Sequence, residues 1–244
     1  MFSNLLLNKL KKAAKIAVLT GAGISAESGV PTFRGEEGLW KKFRPEELAN
    51  FEAFIKNPSL VWEWYNFRKK LISQVAPNPG HYALVDMENY FQDFDLITQN
   101  VDNLHRLAGN KRIHELHGNI MQNRCVDCNK QIDSLLFDKQ NLPRCTCGGL
   151  IRPNVVWFGE SLPENMLIRT FEIARCSKVF FAIGTSAVVQ PAASLPIEAK
   201  RAGAYVVEIN FESTVISNYV DESILGKAGE ILPKLVSEII CQQV

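Results

Sequence analysis

Residues 16–26 read Ile16-Ala17-Val18-Leu19-Thr20-Gly21-Ala22-Gly23-Ile24-Ser25-Ala26, an apolar run that ends in a threonine and turns on two glycines. Such a run fits a strand buried on both faces. Gly21, Gly23 and Ala26 complete G-x-G-x-x-A, in which a tight turn after a strand brings backbone amides to a pyrophosphate at a helix N-terminus. Three more runs, Phe94–Thr98, Val179–Gly184 and Ala204–Asn210, have the same character. Helical patterns at Pro163–Cys176, Pro191–Ala202 and Lys227–Cys241 lie between or after them. The alternation predicts an α/β fold with a Rossmann-like parallel sheet. Ligands then bind beyond the carboxyl ends of the strands, where Gly21, Gln99-Asn100, Thr185-Ser186 and Asn210 would converge. An ordinary dehydrogenase is disfavoured: its second strand should end in an acid about twenty residues on, and this chain reads Lys41-Lys42-Phe43-Arg44-Pro45-Glu46-Glu47 there, with no strand before it.

Two segments break the alternation: the aromatic-rich 31–79 and the stretch 119–153, which holds four of the six cysteines. Both are expected to form a smaller second lobe. Within the first, Asn57 as N-cap and Pro58 at the first helical position start a helix whose buried stripe should be Leu60, Trp64, Phe67 and Leu71.

Length and charge narrow the class without choosing a partner. The chain has 244 residues, 46% hydrophobic and 22% charged, which excludes disorder, collagen-like repeats and coiled coil. Twenty-seven Lys+Arg against twenty-six Asp+Glu give a net charge of +1, so no global field holds a polyanion and no nucleic-acid partner is expected. Glycine, prolines and polar residues interrupt the longest uncharged stretch, 179–197, so no membrane span is expected. At the N-terminus Leu5-Leu6-Leu7 is too short for a signal peptide, and Lys9, Lys11, Lys12 and Lys15 follow it. The expectation is an amphipathic helix with solvated lysines on a cytoplasmic protein.

Cys125-Val126-Asp127-Cys128 and Cys145-Thr146-Cys147 form C-x2-C, a sixteen-residue gap and C-x-C. Two such turns supply four sulfurs, which makes a closed tetrahedral site for one structural Zn²⁺. Arg124, Lys130, Arg144 and Arg152 lie near enough in sequence to offset its charge, and Cys176 and Cys241 read as ordinary buried thiols. His114-Glu115-Leu116-His117 is one residue short of the metalloprotease spacing. His117, next to Gly118 at a lobe junction, could instead serve as a general base near neutral pH.

Taken in order, Gly21–Ser25, Gly29-Val30-Pro31-Thr32-Phe33-Arg34, Gln99-Asn100-Val101-Asp102, His117-Gly118, the four cysteines, Val156-Trp157-Phe158-Gly159-Glu160 and Gly184-Thr185-Ser186 resemble the sirtuins, the NAD-dependent protein lysine deacylases. The resemblance runs from Ile16 to the C-terminal helix. It implies that residues 1–30, 79–118 and 154–244 form the NAD-binding domain, 31–78 a helical insertion with a cofactor loop, and 119–153 the zinc module. It also implies that NAD is consumed. Gly21, Ala22, Gly23 and Ser25 would cradle the pyrophosphate, and Phe33 and Arg34 would sit on a mobile loop. Asn100 and Asp102 would shape the nicotinamide pocket, with Gln99 on a ribose hydroxyl and Gly184, Thr185, Ser186, Asn210 and Ala228 at the phosphate and adenosine end. The acyl oxygen of an acylated lysine would attack the ribose as nicotinamide leaves, and His117 would deprotonate a ribose hydroxyl. Nicotinamide, free lysine and O-acyl-ADP-ribose would be the products. Val156, Phe158 and Gly159 on one side and Val188-Val189 on the other would hold the substrate backbone as an added strand.

Tyr65-Asn66-Phe67-Arg68 puts a phenol and a guanidinium at i and i+3. Such a pair suits an acyl chain ending in a carboxylate, and its placement resembles the desuccinylase-type branch, with small Ala49 leaving room for the longer chain. Succinyl, malonyl and acetyl groups are therefore the expected acyl substrates. Two other classes remain open at this point, a mono-ADP-ribosyltransferase and a non-catalytic zinc-containing binding module. The two lobes and the cleft use almost all of the chain, and a monomer is expected.

Overall fold

The computed structural model describes residues 2–32, 44–132 and 141–241. The four apolar runs become strands whose residues are almost all buried, because helices cover both sides of the sheet. In chain order the strands are β1 (Ile16–Thr20), β2 (Phe94–Thr98), β3 (Ile113–Glu115), β4 (Gly118–Cys125), β5 (Gln131–Ile132), β6 (Ile151–Val155), β7 (Val179–Ile183), β8 (Tyr205–Asn210) and β9 (Glu222–Leu225). Six of them form a sheet in the order β3-β2-β1-β7-β8-β9, parallel throughout. The other three form a small antiparallel sheet, β5-β4-β6.

The helices are α1 (Asn4–Lys12), α2 (Gly23–Ala26), α3 (Pro45–Leu48), α4 (Phe51–Lys56), α5 (Pro58–Ile72), α6 (Pro79–Tyr90), α7 (Leu104–Ala108), α8 (Glu164–Cys176), α9 (Leu195–Arg201) and α10 (Ala228–Cys241). Alternate residues of each strand face opposite sides. Val18, Leu96, Phe181 and Val207 pack on Leu6 and Leu10 of α1, Leu84 of α6 and Leu232 of α10. Ala17, Leu19, Ile97 and Phe180 pack on Ile173 of α8 and Leu195 and Ala199 of α9. A third core joins the helical segment to the small sheet: Phe54, Trp62, Trp64, Tyr65 and Ile72 share it with Ile120, Ile151 and Trp157. Among the described residues no helix is long and apolar enough to cross a membrane.

Helix α5 starts as its cap predicts. The Asn57 side chain accepts from Leu60 N at 3.2 Å, and Pro58 opens the helix. Its buried face differs from the predicted stripe: Leu60 and Phe67 are exposed and Leu71 is half-buried, while Val61, Trp62, Trp64, Tyr65, Arg68 and Ile72 are inside. The buried face follows a second apolar stripe, Val61, Trp64, Tyr65 and Ile72, with Arg68 turned inward among them.

Lysines 9, 11 and 12 of α1 are solvated as expected, with Ser3 as N-cap. Lys15 is not. At the amino-terminal edge of the sheet its Nζ binds Asp93 at 2.9 Å and Asp95 at 2.8 Å, and His114 Nε2 binds the other Asp95 oxygen at 2.8 Å. Burial alone would push the Asp95 carboxyl up, but the bonds from His114 and Lys15 outweigh it and hold it at about 2. A carboxyl depressed in the folded state stabilises fully above its unfolded pKa and loses that contribution as pH falls through the folded value. Asp95→Asn is therefore expected to destabilise the chain by about 1–3 kcal/mol near pH 7. In urea unfolding, the gap between wild type and variant should shrink steadily below about pH 4.

Candidate functional site

The carboxyl ends of β1 and β7 diverge at the point where the strand order reverses, since the chain builds outward from β1 to β3 and returns on its other side at β7. A cleft of about 1430 Å³ opens there. Its floor is a contact between two glycine turns. Gly21 N donates to Ile183 O at 3.0 Å and Gly23 N to Gly184 O at 2.8 Å. A Cβ on Gly21 or Gly23 would stand 2.7 Å from Gly184 backbone atoms, and one on Gly184, at φ +59°, would stand 2.4 Å from Ile24 N. The glycines that match the nucleotide motif are thus required first for closing the turns on each other. A helix does follow the turn, as the motif predicts, but α2 has only four residues.

The end of β2 supplies the next wall. Gln99 Nε2 donates to Thr185 Oγ1 at 2.9 Å, which ties the β2 and β7 loops together. The buried Asn100 amide donates to Gly21 O at 3.0 Å and to Ser25 Oγ at 3.2 Å. Ser25 and Asp102 lie behind this wall, fully or nearly fully buried, with the Ser25 hydroxyl bonded to the Asp102 carboxylate. Burial raises the Asp102 pKa, against the pull of Leu104 N at 2.9 Å, of Ser25 and of nearby Arg68. His81 faces Ser25 at 3.4 Å, and burial lowers its pKa to about 4, so it is neutral.

His117 stands where β4 leaves the main sheet. Val156 N donates to its carbonyl at 2.9 Å, so the strand into the small lobe and the strand out of it meet at this residue. Gly118, at φ +80°, passes so close to Asn154 O that a Cβ would lie 2.1 Å from it. His117 Nδ1 lies 3.0 Å from Gln99 O. A carbonyl only accepts, so Nδ1 carries the proton and Nε2 keeps its lone pair. Burial lowers the His117 pKa below 6.5, partly offset by the Gln99 carbonyl, and the ring is neutral at pH 7.

The small lobe forms the opposite wall. Ala49, Tyr65 and Arg68 line the same cleft as His117, together with Val156, Phe158, Gly159 and Val189. The Tyr65 and Arg68 side chains are 2% and 6% exposed, so solvent screens neither. Amides of Val156, Trp157, Phe158 and Glu160 are bonded within the protein, Phe158 N to Ala49 O at 2.9 Å. At the far end Thr185, Ser186, Asn210 and Ala228 line the cleft beside the loop that follows β8. Glu208 braces that loop from within the sheet, accepting from Thr214, from Ser217 at 2.5 Å and from Ser223 at 2.6 Å. Phe33 and Arg34 lie outside the described residues.

The Sir2 family model matches residues 21–191. The chain is 54% identical over 222 residues to the NAD-dependent protein deacylase of Aquifex aeolicus (strain VF5), covering 90% of this chain and 93% of that protein. The chain belongs to the Sir2 family. It is also 51% identical over 237 residues to the NAD-dependent protein deacylase of Pyrococcus furiosus, covering 94% and 95%. A solved Sir2 homologue in complex with NAD superimposes with a TM-score of 0.93 at 43% identity, covering all of this chain and 96% of that one.

In this Sir2-family chain the four predicted metal cysteines come together. The Sγ atoms of Cys125, Cys128, Cys145 and Cys147 lie within 4.8 Å of one another, with Cys125–Cys147 at 3.5 Å and Cys128–Cys145 at 3.7 Å. A tetrahedral zinc with Zn–S near 2.3 Å needs sulfurs about 3.8 Å apart, so four thiolates here fit one structural Zn²⁺. Gly149 is part of the cradle, since a Cβ there would lie 2.8 Å from Cys125 Sγ. Arg152 does not offset this cluster as expected. It is buried, pairs with Glu160 and lies 3.2 Å over the Trp157 ring, and Arg124 also reaches Glu160, at 3.5 Å. Cys176 is exposed rather than buried. Arg152 and Glu160 come from either side of the β6 exit, and their pairing has no spacing signature that marks it in advance.

Purified protein is expected to carry about one zinc per chain by elemental analysis. Cys145→Ser or chelation should lower the thermal midpoint and change the fluorescence of Trp62, Trp64 and Trp157, which share the small-lobe core. Unchanged melting and fluorescence after complete metal removal would show that the cluster stabilises nothing.

Proposed function

We propose that this chain is an NAD-dependent protein-lysine deacylase whose acyl pocket accepts succinyl and malonyl groups as well as acetyl. Its relatives' names support the first part. The acyl reading is carried by one observation: Tyr65 and Arg68 sit together on the buried face of α5 and line the cleft that also holds His117. A guanidinium offers parallel N–H donors to a carboxylate and the phenol adds one more. In a desolvated site these bonds are worth more than in water.

NAD supplies the ribose carbon that receives the acyl oxygen and the nicotinamide that leaves. Gly21, Ala22, Gly23, Gly184, Thr185, Ser186, Asn210 and Ala228 would hold its phosphates and adenosine. Gln99 would bind the ribose, and Asn100 would face the nicotinamide. Asp102 and Ser25 would act from behind by fixing Asn100, and Phe33 and Arg34 belong to the same site. His117 is the base: its Nδ1–H is held by the Gln99 carbonyl, so Nε2 can take a proton from a ribose hydroxyl. Val156, Phe158 and Gly159 would align the substrate backbone opposite Val189, a mode that reads backbone more than side chains. The acceptor is thus an acylated lysine on a protein, handled by a monomer without nucleic acid. Reduced thiolates in the zinc cluster suit a cytoplasmic location.

Arg68→Met is expected to lower kcat/KM on a succinyl-lysine peptide by about 100-fold, and the loss on the acetyl-lysine peptide of the same sequence should be at least tenfold smaller. Equal losses would remove the carboxylate reading. For His117, a base whose folded pKa is depressed is active above that value, so the acidic limb of kcat/KM should have its midpoint below pH 6.5. His117→Ala should cost about 100- to 10,000-fold in kcat while the protein still melts cooperatively. Nicotinamide release that requires an arginine- or cysteine-bearing acceptor, instead of an acylated lysine, would point to ADP-ribosyl transfer.

A further inference from the structure

Trp157, in the turn after β6, donates its indole N–H to the Tyr65 hydroxyl oxygen at 2.7 Å, and both side chains are 2% exposed. An indole N–H is a donor only. The phenol oxygen is therefore the acceptor of this bond, and its own proton must be directed elsewhere. No bond from the Tyr65 hydroxyl to an acceptor is made among the described residues, and both rings line the cleft. Trp157 is in turn clamped from its other side. The Arg152 guanidinium stacks 3.2 Å from the ring centroid, Glu160 pairs with Arg152, and the same carboxylate accepts from Trp157 N at 2.8 Å.

We propose that Trp157 is a positioning residue for acyl selectivity, which occupies the acceptor side of the Tyr65 hydroxyl and so aims its proton at the terminus of the bound acyl chain. The proposal rests on the carboxylate reading of Tyr65 and Arg68. Without the indole N–H the hydroxyl is free to rotate and can present a lone pair, rather than its proton, to the substrate carboxylate. An acetyl group has no carboxylate to gain or lose by this. Burial raises the Tyr65 pKa, which keeps the phenol protonated and able to donate.

The experiment is a double-mutant cycle on the intact zinc-loaded enzyme, with succinyl- and acetyl-lysine peptides of one sequence at saturating NAD. Trp157→Phe keeps a ring under Arg152 while removing the N–H donor together with the five-membered ring. The ratio of succinyl to acetyl kcat/KM should fall about 3- to 10-fold, mainly through KM for the succinyl peptide. In a Tyr65→Phe background the same substitution should leave the ratio where Tyr65→Phe alone puts it. An unchanged ratio for Trp157→Phe, or an equal effect in both backgrounds, overturns the proposal. If Tyr65→Phe and Arg68→Met themselves leave the ratio unchanged, the carboxylate reading has failed and the role of Trp157 falls with it. If Trp157→Phe does not fold, benzothienylalanine at position 157 keeps the bicyclic shape, replaces N–H by sulfur and carries the same two outcomes.

Discussion

A close approach between two backbones governs the rest of the structure. Where β1 and β7 end, Gly21 and Gly23 lie against Gly184 at distances that no side chain tolerates. This contact sets the spacing of the two loops that form the cleft floor. Asn100 then anchors to Gly21 O and Gln99 to Thr185, so the β2 loop takes its position from the same junction. His117 takes its tautomer from the Gln99 carbonyl. The His117 ring is therefore two hydrogen bonds away from the glycine pair, through the Asn100 amide and the Gln99 carbonyl.

The second lobe is attached by a different principle. It leaves the main sheet on β4, returns on β6, and the two strands pair with each other from Gly118–Val155 to Cys125–Ile151. At one end of this ladder is His117 and at the other the cysteine cluster. The aromatic core between them also holds α4 and α5. One small hydrophobic unit thus aligns Tyr65 and Arg68 of α5 with His117 at the foot of the ladder. Tyr65 and Arg68 of α5 and His117 at the start of β4 come from different lobes and meet in the cleft.

The physical reason some elements were legible in the sequence is burial on both faces. β1, β2, β7 and β8 are almost wholly buried and stand out as apolar runs. β3 and β9 are short and half-exposed, and β4 to β6 are polar on one side with a register shift between Asn119 and Asn123, so no period marks them. The Asn57-Pro58 start of α5 was readable because capping is local chemistry. Its buried face was not, because the helix carries two overlapping apolar stripes and the one that is buried, Val61, Tyr65 and Ile72, includes an inward Arg68. The glycine motif was readable too, although its packing role against Gly184 depends on a turn far along the chain, after β7. The cysteine spacing carried its meaning directly, since four thiolates in two turns have few other uses.

The main sheet ends on both sides in strands of three and four residues, Ile113–Glu115 and Glu222–Leu225. Each carries charged or titratable side chains, and Glu115 is further held by Arg106 at 3.0 Å. Short, charged rims are poor templates for edge-to-edge pairing with another chain. A protein that welcomes an extended segment as a guest strand runs the standing risk of polymerising through its own sheet. The outer edges of this sheet are too brief to offer a long template, and the proposed docking of an extended substrate falls away from them, in the cleft between the lobes.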